Sequence, residues 1–247
     1  MKGAPAESRL TRTVRPSRCP RSIQGEAGPA READFKIKPL HPVQPLVLLL
    51  VVSNPIFNGG QEAVGAQVWE TGYRHGARIV ADGLGYTNEI QLDDSGSWLY
   101  VNETFGRRLS RFRVGKQGSL SGKETVVTFG HGVFPDGLTF DQQGGIWITS
   151  VVSNRVIRVS PEGKPQTILE DANPEHLNDV EEAFISGKMG RPDLDQIKSK
   201  KLRNISSLAF GGSDLRTVYL GCLLGDCLMS FRSPVAGRPP VHWLFEL

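Results

Sequence analysis

The chain has 247 residues, of which 38% are hydrophobic, 22% are charged and 28 are glycine, a balance that suits a globular chain with one large core. Its net charge of +3 comes from the first 38 residues, where nine basic side chains meet four acidic ones; the remainder carries 20 against 22 and is close to neutral. That distribution excludes a nucleic-acid footprint, which needs Lys and Arg clustered within the fold.

Residues 1–45 hold arginines at positions 12, 15, 18 and 21, seven prolines and no apolar period, and are expected to be a disordered basic tail. Its prolines would interrupt the amphipathic helix of an organelle transit peptide. Residues 46–52, LVLLLVV, fall far short of the ~20 needed to span a bilayer and read as a buried strand, so no membrane partner is expected. Residues 66–71 and 77–81 read as the last two strands of a sheet whose start is uncertain.

A repeat follows. In residues 88–112, Ile90 and Leu92 precede an Asp93-Asp94-Ser95-Gly96 turn, then come a strand at 98–101 and a third strand with Leu109 and Phe112. Residues 134–159, FPDGLTFDQQGGIWITSVVSNRVIRV, have the same layout, and so do residues 206–231. Each repeat carries an aromatic in its second strand, and the intervals Tyr100 to Leu109, Trp147 to Val156 and Tyr219 to Leu228 are equal. A unit of this kind, recurring about every 48 residues, cannot bury its faces alone and marks a β-propeller blade. A β-sandwich shares the turn density and gives no reason for the period. The expected fold is therefore all-β, a propeller over residues 46–247.

Between the second and third repeats the period becomes helical, with Leu177, Val180 and Phe184 on one face. Asn173 is placed to cap the helix, Pro174 to begin it, and Gly187 or Gly190 to end it. A helix near 174–187 would roof the propeller channel as a lid or serve simply as packing, and the sequence leaves both readings open. Arg107, Arg108, Arg111 and Arg113 read as a solvated outer face. Three cysteines, Cys19, Cys222 and Cys227, fit reduced thiols in a cytoplasmic protein better than a disulfide framework, although a bridge between Cys222 and Cys227 stays open.

In a propeller, the first strand of each blade lines the axis, so equivalent starts of that strand face one channel. Here those starts are Asn88, Asp136 and Ser206. An amide, a carboxylate and a hydroxyl make a hard-oxygen set suited to calcium or magnesium. The same residues are also ordinary turn formers ahead of strands, and spacing alone does not choose between the two readings.

The TNE and PDG strand starts, each followed by strand, turn and strand, and the closing ISSLAFGGSDLRTVYLGCLLGD resemble the gluconolactonase, regucalcin and luciferin-regenerating-enzyme family of six-bladed propellers. The resemblance covers about residues 64–243 and is specific in 83–163 and 204–225. It implies a divalent cation, usually calcium, in the central channel, held by a first-blade Glu, an Asn and an Asp. Asn88 and Asp136 stand where the last two would be. The family's early E-G-P-like turn is not found, and Glu26 with the following Ala-Gly-Pro is too loose an echo to take the role. Six blades would need roughly 290 residues, so an incomplete propeller of about four blades is expected.

The implied function is metal-dependent hydrolysis of a small-molecule lactone or related ester, with Asn88 and Asp136 as metal ligands and Asp136 or a neighbouring carboxylate as base. Glu103, Ser206 and Ser207 are the expected substrate contacts. The alternative is a non-catalytic binding or calcium-holding module, since propellers host both. Loss of the first blade would weaken metal binding, impair catalysis and leave a blade face open to self-association.

Overall fold

The computed structural model describes residues 76–239, preceded by Arg15–Pro16, Leu48–Val52 and Ala66–Gly72. The strands run β1 (Arg15–Pro16), β2 (Leu48–Val52), β3 (Ala66–Gly72), β4 (Gly76–Leu84), β5 (Thr87–Leu92), β6 (Trp98–Glu103), β7 (Arg108–Val114) and β8 (Leu120–Thr128). They continue with β9 (Val133–Phe140), β10 (Ile146–Val152), β11 (Arg155–Val159) and β12 (Pro165–Glu170). After the helices α1 (Pro174–Ile185) and α2 (Arg191–Leu194) come β13 (Ile205–Gly211), β14 (Thr217–Cys222) and β15 (Met229–Arg232).

Among the described residues these strands form antiparallel sheets ordered β2-β3-β4, β5-β6-β7-β8, β9-β10-β11-β12 and β13-β14-β15-β1. The first strands β2, β5, β9 and β13 touch in succession, so they are the inner strands and the sheets are consecutive propeller blades. The expected repeats are the last three blades. Two features differ from expectation. Arg15–Pro16, from the stretch expected to lack structure, pairs with Ser230 and Met229 as the outer strand of the last blade. The link from β14 to β15 is a six-residue loop, and Leu228, expected on the third strand of its repeat, lies in it, ahead of β15. The rest of the tail and the Glu26 turn lie outside the described residues.

Blades adhere through one repeated aromatic contact. Tyr100 on β6 meets Phe140 on the next inner strand edge-on, with ring centres 5.3 Å apart, and Trp147 on β10 meets Phe210 in the same way at 5.2 Å. Around them pack Leu109, Leu138 and Ile148 at the first interface, and Val156, Leu208 and Leu220 at the second. The equivalent Tyr219 has no following blade among the described residues and is 41% exposed, and Leu228 beside it is 57% exposed. Equal sequence spacing thus meets unequal burial for a physical reason.

The turns are held by carboxylates. Buried Asp141 accepts from the backbone N–H of Gln143 and Gly145, from Trp147 Nε1 at 2.8 Å and from Arg158 at 2.6 Å. That bonding explains a low pKa despite burial, which by itself would raise it. Helix α1 starts as its sequence predicts: the Asn173 side chain accepts from the His176 N–H and Pro174 opens the first turn. It ends at Ser186, with Gly187 left-handed at φ 68°. Leu177 and Val180 bury against Phe134, Val151 and Val152, at the end of β9 and β10 where the inner strands begin. Gly132 permits this docking, because a Cβ there would sit 2.6 Å from the Leu177 side chain. Cys222 and Cys227 are free thiols. No helix among the described residues is long and apolar enough to cross a membrane.

The interface logic predicts that Trp147→Ala costs about 3–5 kcal/mol, while Tyr219→Ala stays within about 0.5 kcal/mol. Guanidinium midpoints followed by far-UV dichroism measure both, and equal losses would contradict the blade order.

Candidate metal and substrate site

Three of the inner strands, β5, β9 and β13, share a feature that spacing does not show. Thr87 pairs with Glu103 and Ile90 with Val101, so β5 takes three steps while β6 takes two. On β9, Pro135 pairs with Ser150 and Leu138 with Ile148, again three steps against two. On β13, Ile205 pairs with Cys222 and Ser207 with Gly221, two steps against one. The inner strands β5, β9 and β13 therefore each bulge by one residue at the same register, whereas β2 pairs with β3 without a shift. The residues in the bulges are Asn88 and Glu89, Asp136 and Gly137, and Ser206. A bulge re-aims side chains and breaks the ladder locally, which is why it recurs beside functional sites.

The bulges are tied to their neighbours. From β6, Asn102 Nδ2 donates to the carbonyls of Asp136 at 2.8 Å and Gly137 at 3.2 Å. Just beyond β6, Thr104 Oγ1 donates to the Pro135 carbonyl at 2.7 Å and accepts from Asn88 Nδ2 at 3.4 Å. From β10, Thr149 Oγ1 accepts from the Gly137 N–H at 2.8 Å and donates to the Ser206 carbonyl at 3.0 Å. At Gly137 the strands come so close that an added Cβ would lie 2.6 Å from the Ser206 carbonyl oxygen. Asn88, Asp136 and Ser206 are thus brought to one end of three adjoining inner strands, as expected.

Asp136 is the electrostatic centre of this region. Its half-buried carboxyl is pushed up to about 7, first by burial and then by the negative charge of Glu89. Neither carboxylate has a hydrogen bond or ion pair among the described residues. Glu89 was absent from the sequence expectations, because it follows Asn88 directly and only the bulge brings it toward β9.

The other expected contacts stand elsewhere. Glu103 is fully buried, and its carboxylate takes Arg108 at 2.6 and 2.8 Å, Ser110 Oγ at 2.5 Å, Lys123 Nζ at 2.9 Å and the Gly85 N–H at 2.7 Å. Although burial works against it, these partners pull its pKa down to about 2. With both oxygens committed, Glu103 anchors the entry to β5, and the substrate role expected for it is withdrawn. Ser207 is exposed, with its hydroxyl against Gly221 on the face that no described blade covers, so it does not join Asp136. Arg107 and Arg108 are likewise structural. Arg107 donates to Glu181 of α1 at 2.6 Å and lies over Phe134 and Phe184, pinning the roof helix.

A divalent cation fits the donor chemistry here. Two unneutralised carboxylates and an amide present hard oxygens with no cationic side chain paired to them. The shell is sparse: among the described residues, no group of three or more His, Cys, Asp or Glu gathers closely enough to hold a metal.

The raised Asp136 pKa predicts a pH effect on the metal-free fold. Its neutral form contributes stability that is fully present below the ordinary carboxyl value of 3.8 and is lost as pH rises through about 7. Asp136→Asn should flatten that decline. Urea midpoints at pH 5 and pH 8 in chelator test it, and an unchanged slope in the variant would contradict the assignment.

Residues 51–171 match the family model described as SMP-30/Gluconolactonase/LRE-like region. The chain is 26% identical over 158 residues to a 6-deoxy-6-sulfogluconolactonase of Pseudomonas putida, covering 63% of this chain and 44% of that protein. It is 24% identical over 143 residues to a protein of Bacillus subtilis (strain 168) assigned as a sugar lactone lactonase, covering 57% of this chain and 39% of that one. Among solved structures, a luciferin-regenerating enzyme superposes with a TM-score of 0.52 at 18% identity, over 72% of this chain and 55% of that chain. The chain spans about half the length of these relatives. The matched stretch is the one that carries the bulges at Asn88 and Asp136, and it is similar to the SMP-30/Gluconolactonase/LRE-like region.

Proposed function

We propose that this chain hydrolyses a lactone or related ester of a sugar acid, with a divalent cation, calcium by its preference for oxygen donors, held at Asn88 and Asp136. The carrying observation is the Asp136 carboxyl, which has no ion pair among the described residues and is pushed up to about 7 by burial and by Glu89, in a bulge of the strand next to that of Asn88. The lactonase names of the relatives support the substrate class.

A bound cation would supply electrophilic polarisation of the ester carbonyl and offset the negative charge that develops there. The protein's own groups do the rest. Because Asn88 Nδ2 is engaged by Thr104, the Asn88 Oδ1 is left for the channel. Asp136, ionised on the alkaline side of about 7, accepts the proton of the attacking water and returns it to the leaving alkoxide. Glu89 raises the basicity of Asp136 and adds negative charge for a cation. Ser206, at the third bulge, is the proposed substrate contact, and α1 closes the same end against solvent. With so few protein oxygens for a cation that takes six to eight, affinity should be weak, on the order of 10⁻⁴ to 10⁻³ M.

Turnover of five- and six-membered aldonolactones, measured with added calcium and with chelator, tests the proposal. Chelator should abolish activity, and Asp136→Asn should lower kcat by roughly 10²- to 10⁴-fold. Calcium binding by calorimetry without turnover would favour the non-catalytic calcium-holding reading. Hydrolysis indifferent to both chelator and Asp136→Asn would overturn the site.

A further inference from the structure

Asn102 occupies a position where a purely structural side chain would be chosen differently. It is wholly buried on β6, and its Nδ2 serves both carbonyls of the Asp136 bulge. Its Oδ1 has no partner among the described residues, an arrangement that burial makes costly. One blade later, the same task falls to Thr149, whose hydroxyl donates to Ser206 O and leaves no buried atom unpaired. The difference has a chemical reason. An amide nitrogen carries two hydrogens and reaches two successive carbonyls, whereas a hydroxyl carries one. The Asp136–Gly137 peptide is then gripped from both sides, by Asn102 at its carbonyls and by Thr149 at the Gly137 N–H.

We infer that Asn102 is the positioning residue of the site: it holds the Asp136 bulge across the blade interface, so that the Asp136 carboxylate stays aimed at the channel beside Asn88. It touches neither cation nor substrate and acts through Asp136. The inference rests on the functional reading given above only where it invokes calcium.

The test uses two substitutions that are nearly isosteric with one another. Asn102→Thr keeps one donor, as Thr149 does, and Asn102→Val has the shape of that Thr without its donor. Phe140→Leu loosens the same pair of blades at the far end of β9 and serves as a structural control. Thermal midpoints report stability, calorimetry with calcium chloride reports affinity, and the ¹³C resonance of the Asp136 carboxyl in metal-free protein reports its placement. Asn102→Val should shift that resonance and weaken calcium binding about tenfold. Asn102→Thr should restore both to within about threefold of the parent, and Phe140→Leu should leave both in place despite a lowered midpoint. The inference is overturned if Asn102→Val leaves the Asp136 resonance unmoved, if the Thr and Val variants behave alike, or if Phe140→Leu acts as Asn102→Val does. If the parent chain binds no calcium, the proposed function fails, and the carboxyl resonance alone decides whether Asn102 positions Asp136.

Discussion

A sheet that is apolar on both faces must be covered twice, and in this chain adjoining blades cover one another. The ring on the second strand lies edge-on against a phenylalanine of the following inner strand, as Tyr100 does on Phe140 and Trp147 on Phe210. This contact sets how far one blade sits from the next. It therefore also sets how closely the inner strands approach, to the point where Gly137 leaves no room for a side chain beside Ser206. The placement of Asn88, Asp136 and Ser206 at one end of these strands depends on that spacing.

Two residues beyond each ring, the same face turns from apolar to polar. Asn102 and Thr149 reach across at this level to backbone carbonyls of the next inner strand. The polar bonds coincide with the bulges because bulged backbone has lost its ladder partners and its carbonyls need donors from elsewhere. Packing and site are thus successive layers of one interface: rings low on the blade fix distance, and amide or hydroxyl donors above them fix direction. Helix α1 closes this end, tied down by Glu181 to Arg107 and to the Gly132 N–H.

Much of this was legible in residue order. The repeat survives as a spacing because strand and turn lengths hardly vary between blades, and the helix announced itself through Asn173, Pro174 and the Leu177–Val180 face. The bulges were not legible, since one extra residue changes no motif and appears only when pairing is known. Glu103 misled because its partners Arg108, Ser110 and Lys123 come from two further strands, and no local pattern marks a carboxylate as already paired. Ser207 misled because its neighbour Ser206 faces differently across a bulge. Glu89 was hidden by the same extra residue.

The proposed site requires the bulges of β5 and β9 to aim Asn88 and Asp136 at one point. Anomalous diffraction from crystals soaked in terbium, a hard cation that substitutes for calcium, examines this most directly. The account predicts an anomalous peak within bonding distance of both the Asn88 amide oxygen and the Asp136 carboxylate, and its loss in Asp136→Asn. A peak bound elsewhere in the chain, with Asn88 and Asp136 pointing apart, would contradict it.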